Sequence, residues 1–527
     1  MRNAATILLA LIFLFPACKN ARKENFPEKA VNTAYLKDTP LSINARLLEK
    51  SPGSVTEFYA SYGMKTVWTN QENRRALIAA VQDAGSDGLL PSDYYLNTLE
   101  QFEALTIISK EECMRYDILL TESFTQLATH LFKGRLLPRN VYHDWALAPK
   151  KIDTNKLLAE VLVKNNAGEV IARCRPKHAT YNGLRKSLAY LEKLPDDKGL
   201  GRIEIKKALK PGDSGAVVTQ AKLRLAYWGD LMAEDAKNAL YDKATIKAVK
   251  KFQERHGLAQ TGVIDARTAT TLNISRNDRK NQVIANLERW RWFPYDFGKR
   301  AIIINIPTYA LAVVENNKDT IDTYNVVVGK PDRRTPVLYS AINQLTINPT
   351  WTIPPTYLKK DLVPAARKDT MHFSNLNMKI LYKNEEIPVS EWDSLKADHY
   401  VYVQSPGSHN SLGRIKFNFK NGFYVYLHDT NHREYFKKGY RALSSGCVRV
   451  EDPFRLAEYV LEGDSRWDRK KLDEMVTQGE TQHLGLKKTT PIHQLYWTAW
   501  MDRDGLQFRN DIYNLDKALY EKLRKQP

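Results

Sequence analysis

Between about Leu47 and Leu194 the apolar positions recur with helical spacing, and Leu120, Phe124, Leu127 and Leu131 make a stripe along one helix face. Gly88-Leu89-Leu90-Pro91-Ser92-Asp93-Tyr94 interrupts the pattern, and Pro91 followed by Ser-Asp restarts a helix. Residues 46–205 therefore read as a helical scaffold without chemistry of its own. A compact module occupies 206–276. It opens on the turn-rich stretch Leu209 to Gly215 and continues with a helix carrying Val218, Ala221, Leu225 and Trp228. Asp242 is placed to cap a second helix, with Ile246, Val249 and Phe252 facing inward, and Asp265 to cap a third.

After Arg291-Trp292 the pattern changes from helix to strand. Ile302-Ile303-Ile304 and Val326-Val327-Val328 are β-branched runs closed by turn signals at Pro307 and Gly329. Such continuous runs predict strands buried on both faces, or the inside of a sandwich or barrel. Pro336, Pro349, Pro354 and Pro355 punctuate the next stretch. Residues 365–400 are charged with little periodicity and read as an insertion, a lid in many compact domains. Phe423 to His428 alternates, placing Tyr424, Tyr426 and His428 on one strand face. Asp452-Pro453 begins a helix with Phe454, Ala457, Val460 and Leu461 as its buried stripe. The expectation is a multidomain α+β protein. Its mainly β domain spans 298–465, and 466–527 is an extension packed on that domain or on the scaffold.

Length agrees, since 527 residues suggest about three domains. The net charge of +19 argues for anionic surroundings: nucleic acid, membrane head groups or a carboxylate-rich polymer. No Arg/Gly-rich arm, zinc-finger or RNA-binding signature occurs, so nucleic acid is not an expected partner. Arg2 precedes an apolar run from Ala4 to Phe15 and then Pro16-Ala17-Cys18. That run is too short to span a bilayer and has the form of a signal peptide over 1–18. Cys18 after a small residue resembles a bacterial lipoprotein cleavage site, where the cysteine carries the lipid. An ordinary cleaved signal or an uncleaved anchor is the alternative. Polar residues 19–45 read as a tether. The protein is thus expected to be exported, periplasmic and membrane-anchored.

Cys18, Cys113, Cys174 and Cys447 are the cysteines of the chain, too few for a disulfide scaffold. Cys113 and Cys174 either pair or fill a core. Cys447 lies in the small-residue turn Ser444-Ser445-Gly446-Cys447, nineteen residues after His428. Neighbouring strands would bring the two together. An imidazole can take the thiol proton and stabilise the thiolate, and Gly446 lets backbone N–H groups turn toward an oxyanion. A buried structural Cys and a satisfied edge His are the bland alternative. His432, four residues after His428, invites a zinc reading, but the Asp429-Thr430-Asn431 turn breaks the helix that would align them and no third ligand presents itself. No metal or cofactor is expected.

His428-Asp429-Thr430 followed by Ser444-Ser445-Gly446-Cys447-Val448-Arg449-Val450 resembles the catalytic signature of the L,D-transpeptidases. The likeness continues through Gly329 to Pro336, Asn348 to Pro354 and Ser411 to Phe417. Pro211 to Gly215, Ala248 to Gln253, His256-Gly257-Leu258, Thr261-Gly262 and Thr268 resemble the three-helix peptidoglycan-binding module, with a spacer that binds nothing as the alternative. The whole is similar to the large periplasmic subgroup that joins a helical scaffold, this module and the catalytic domain. The resemblance implies that Cys447 attacks the carbonyl between the third and fourth residues of a peptidoglycan stem peptide and releases D-Ala. His428 is then base and acid, oriented by the Asp429 carbonyl. Gly446 and Cys447 amides, with the Tyr426 hydroxyl, hold the oxyanion. Arg449 steers Cys447 or binds a substrate carboxylate, with a structural ion pair as its other reading. Ser445 stands where many smaller relatives carry His and borders the substrate. Trp351, Tyr357 and the insertion cover the groove. The implied product is a 3→3 cross-link, and carbapenems would acylate Cys447. The implied partners are stem peptides, the sacculus and, through the lipid, the membrane; the oligomeric state stays open. A carboxypeptidase, an endopeptidase, a protein-to-wall ligase and a non-catalytic wall-binding lipoprotein are the rival functions.

Overall fold

The computed structural model describes residues 37–105, 108–294, 296–316 and 319–525. The expected signal peptide, the expected lipidation site at Cys18 and most of the expected tether lie outside the described residues. Within them, apolar side chains gather into four cores: a helical one from Leu41 to Cys174, a small one from Ile203 to Leu272, one within the insertion, and a large one built on a sheet.

The helical region is set by local chemistry. A capping box between Ser109 and Glu112 starts the 24-residue helix Lys110–Lys133, and Leu120, Phe124, Leu127 and Leu131 are all fully buried on it. Cys113 and Cys174 fill this core as thiols rather than as a disulfide. In the small module Asp242 and Asp265 cap the two helices assigned to them. Its buried Lys222 is held by Asn238 Oδ1, the Leu240 carbonyl and Asp242.

The large sheet takes β1 (Trp145–Ala146) from the helical region, then β2 (Arg300–Asn305), β3 (Ala310–Glu315), β4 (Asp319–Gly329) and β5 (Val337–Ile347). The insertion supplies β6 (Trp351–Thr352), β7 (Met378–Tyr382), β8 (Glu385–Ile387) and β9 (Val401–Gln404). The chain returns with β10 (Ile415–Phe419), β11 (Leu427–His428), β12 (Ala442–Ser444), β13 (Val448–Val450) and β14 (Gln482–Leu495). The order is β1-β5-β10-β11-β13-β4-β3-β2-β14, with β12 beside β4, and β14 also pairs with β5. That second pairing closes the sheet into a barrel.

Three details differ from the pattern. Spacing ends the β domain at 465, yet β14 pairs in parallel with β2 and antiparallel with β5 and so completes the barrel. A register shift between Gly485 and Thr490 lets the stretch 486–489, with its two lysines, leave the ladder. The insertion is not a structureless loop over 365–400: β6, β9, β7 and β8 form a separate sheet over its own core, which includes Leu362, Phe373, Ile380 and Tyr402. The alternation from Phe423 is not one long strand either. Tyr424 turns in the left-handed region (φ 56) and is exposed, so only Leu427–His428 pair as β11.

Helix Arg276–Trp292 runs through the large core and joins it to the helical region. Arg289, Arg291, Glu288 and Asn286 on it are all fully buried.

Candidate active site

Strand pairing assembles the site. β11 and β13 are parallel with Leu427 opposite Val448 and His428 opposite Arg449. Leu427 and Val448 are fully buried in the barrel core, so their neighbours Tyr426, His428, Cys447 and Arg449 emerge together on the other face. β10 adds Lys416 directly opposite His428 on the same face. The Tyr426 and His428 rings meet edge to face with centroids 5.6 Å apart. Cys447 is half-buried with a free thiol.

A chain of hydrogen bonds fixes the turn that carries Cys447. Ser444 Oγ donates to the Cys447 carbonyl at 2.6 Å and accepts from the Gly446 N–H at 3.2 Å. Gly446 sits at φ 116, a conformation open to glycine. Thr335 Oγ1 donates to the Gly446 carbonyl at 2.8 Å and accepts from the Gly329 N–H at 2.8 Å. From the C-terminal segment, the Tyr513 hydroxyl donates to the Gly329 carbonyl at 2.7 Å and accepts from the Thr335 N–H at 3.1 Å. A Cβ on Gly329 would collide with the Arg333 carbonyl, so that loop closes only over glycine. The Gly446 N–H, a candidate oxyanion donor by resemblance, is thus committed to Ser444 at rest. No such bond holds the Cys447 N–H among the described residues.

Electrostatics leave the pair neutral. Burial, with help from Arg449 and Lys416, lowers the His428 pKa to about 3, so the ring is uncharged at neutral pH. Its Nδ1 has no hydrogen-bond partner among the described residues, although the Asp429 backbone beside it favours the protonated form. Burial raises the Cys447 pKa, against the pull of Tyr426, Lys416 and Arg449. Tyr426 interacts with the Cys447 sulfur and with the Trp351 side chain, and its contact with the sulfur favours the thiolate. The Asp429 carboxylate turns away to Arg433 and to the Arg414 N–H.

The raised thiol pKa makes the site's reactivity depend on pH. Thiolate is scarce at pH 7 and grows more abundant as pH rises. Alkylation of Cys447 by iodoacetamide, read on its own peptide by mass, is expected to accelerate about tenfold per pH unit from 5.5 to 8. A plateau below pH 7 would mean a preformed thiolate–imidazolium pair instead.

The other candidate residues gather here as well. Trp351 and Tyr357 meet edge to face at 5.1 Å, where the insertion approaches Tyr426. Arg333 donates to Ser445 Oγ at 2.9 Å and to Asp361 Oδ1 at 3.0 Å, tying the insertion to the cysteine turn. Arg449 donates to Thr430 Oγ1 at 3.3 Å and lies over the Tyr435 ring; it makes no ion pair with a carboxylate among the described residues. His432 bonds to Glu434 and stacks on Tyr435. Lys416, Arg333, Thr335 and Tyr513 are given no role by the sequence pattern. Lys416, Arg333 and Thr335 fall inside the motif stretches named above, but their place in the site is not a property of local sequence.

Residues 299–470 match the family model described as "L,D-transpeptidase catalytic domain". Over this stretch the chain has an L,D-transpeptidase-type catalytic domain. Ahead of this domain, residues 53–188 match a "Scaffold domain" and 214–272 a "Putative peptidoglycan binding domain". A curated Haemophilus influenzae protein named "Putative L,D-transpeptidase" is 32% identical over 237 residues, which is 44% of this chain and 48% of that protein. The chain thus spans about half the length of the curated relative it matches. Among solved structures, an L,D-transpeptidase from Xylanimonas cellulosilytica is 16% identical over 55% of this chain and 98% of its own, with a TM-score of 0.19. One from Stackebrandtia nassauensis is 16% identical over 56% and 96%, with a TM-score of 0.20. The fold rests on the sheet order described above rather than on those overlays.

Proposed function

We propose that the protein is an exported cysteine acyltransferase that forms 3→3 cross-links in peptidoglycan. The observation that carries this reading is the β11–β13 pairing, which gathers Cys447, Tyr426 and His428 on one face of an L,D-transpeptidase catalytic domain. Cys447 Sγ attacks the carbonyl carbon between the third and fourth residues of a stem peptide, and its proton passes to His428. The Cys447 N–H and the Tyr426 hydroxyl, released from the sulfur as the C–S bond forms, meet the oxyanion. The C–N bond breaks and His428 returns the proton to the departing D-Ala amine. An amine of a second stem peptide then attacks the thioester, loses its proton to His428 and frees the Cys447 sulfur. Trp351, Tyr357 and the insertion exclude water between the two halves.

The +19 charge and the module over 214–272 suit a carboxylate-bearing sacculus, and a lipid on Cys18 would hold the enzyme at a membrane surface. Incubation with purified tetrapeptide muropeptides is expected to give dimers whose mass lacks one D-Ala per cross-link. Shortened monomers alone would make the enzyme a carboxypeptidase and overturn the transfer reading.

A further inference from the structure

Two cations flank His428 with no counter-ion among the described residues. Lys416 stands opposite it on β10 and Arg449 opposite it on β13, both on the face that carries Cys447. The Lys416 ammonium lies over the Tyr426 ring, 4.0 Å from its centroid, and makes no hydrogen bond or ion pair among the described residues. Among the described residues Arg449 makes one hydrogen bond, the 3.3 Å bond to Thr430, besides lying over the Tyr435 ring, and its Nε is buried with no partner. Two acids of the adjoining segment are engaged elsewhere: Asp429 with Arg433, and Glu434 with His432. Partly buried charges without partners are costly, and both groups lose basicity there through burial. A fold that keeps two of them beside its reacting thiol has the electrostatics of an anion site that a ligand completes.

We propose that Lys416 and Arg449 form a carboxylate seat, with Lys416 holding the free α-carboxylate of the residue that leaves. The assignment to the leaving residue rests on the function proposed above. His428 protonates the departing amine nitrogen, and an α-carboxylate begins two bonds from that nitrogen. Side chains directly opposite on neighbouring strands are about 5 Å apart at Cβ, a span that matches. The consequence is a dependence on one side chain: any preference for a donor that ends in a free carboxylate runs through Lys416. An amide or a further residue there would leave Lys416 desolvated and unpaired, which a site built for a charge rejects strongly.

The test compares full-length wild type, K416M and K416R on two donors, a stem tetrapeptide with a free C-terminal carboxylate and the same peptide as its C-terminal amide. Release of the terminal residue is measured to give kcat and KM separately. Wild type is expected to favour the acid by about 10- to 100-fold in kcat/KM, the worth of a charge-assisted hydrogen bond. K416M is expected to lose that preference through the acid alone, mainly in KM, and K416R to keep part of it. Equal losses on both donors would overturn the proposal and assign Lys416 to the thiolate. An unchanged preference in K416M would overturn it too. Should K416M fail to fold, the wild-type ratio still decides: a ratio near one sinks the seat. If wild type releases nothing from either donor, it is the proposed function that fails.

Discussion

Cys447→Ala is expected to form no thioester with a stem tetrapeptide and to release its terminal residue at least ten-thousandfold more slowly than wild type. Removing a nucleophile from a unit that acts together costs about a millionfold in well-studied cases, with the residual rate left to binding and oxyanion donors. Cys447→Ser is expected to be nearly as inactive, for a reason specific to this site. Burial and the two flanking cations weaken His428 as a base, and a hydroxyl is far less acidic than a thiol, so the serine proton is the harder one to remove. Folding is expected to be unaffected, since Cys447 is half-buried and its turn is held by Ser444 and Thr335. Intact mass after incubation with donor reads the thioester directly, and a melting curve checks the fold. An alanine variant that keeps more than about 1% of the rate would mean that another group is the nucleophile.

What the sequence makes legible here is local. The Leu120 to Leu131 stripe and the Asp242 and Asp265 caps depend on residues three or four apart, and all are found in place. Cys447 and His428 stand out because a thiol in a small-residue turn and a histidine at a strand end are unusual on their own. The groups around them are not local. Thr335 reaches Gly446 across 111 residues and Tyr513 reaches Gly329 across 184. Lys416 acquires meaning only once the register sets it opposite His428. The barrel closure is concealed because β14 contains Lys487, Lys488 and Pro491, which argue against a central strand. Helix Arg276–Trp292 goes unread: the local pattern singles out none of Asn286, Glu288, Arg289 and Arg291, yet all four are fully buried against the large core.

That helix carries the second large effect. Glu288→Ala is expected to destabilise the protein by about 3–5 kcal/mol, the usual result of stripping one partner from a buried ion pair. Arg291 is wholly buried and donates to Glu288 Oε2 at 2.5 Å, to the Asp87 carbonyl at 2.8 Å and to the Tyr181 hydroxyl at 3.0 Å. Glu288 also accepts from the Leu136 N–H at 2.8 Å. Asp87 does not stand ready to replace it, because its carboxylate is already shared by Arg175, Arg185 and Tyr181. With Glu288 gone, a guanidinium stays buried without its own counter-charge at the junction of the helical region and the barrel. Since β1 comes from that region and pairs with β5, the loss reaches the sheet that supports the site. At roughly 2–4 °C per kcal/mol for a body of this size, the calorimetric transition containing the barrel should fall by about 6–20 °C. Adding Arg291→Met to Glu288→Ala should recover part of the loss, since the stranded charge goes with it. A fall under about 2 °C for Glu288→Ala alone would show that Arg291 is not dependent on Glu288 for its charge balance.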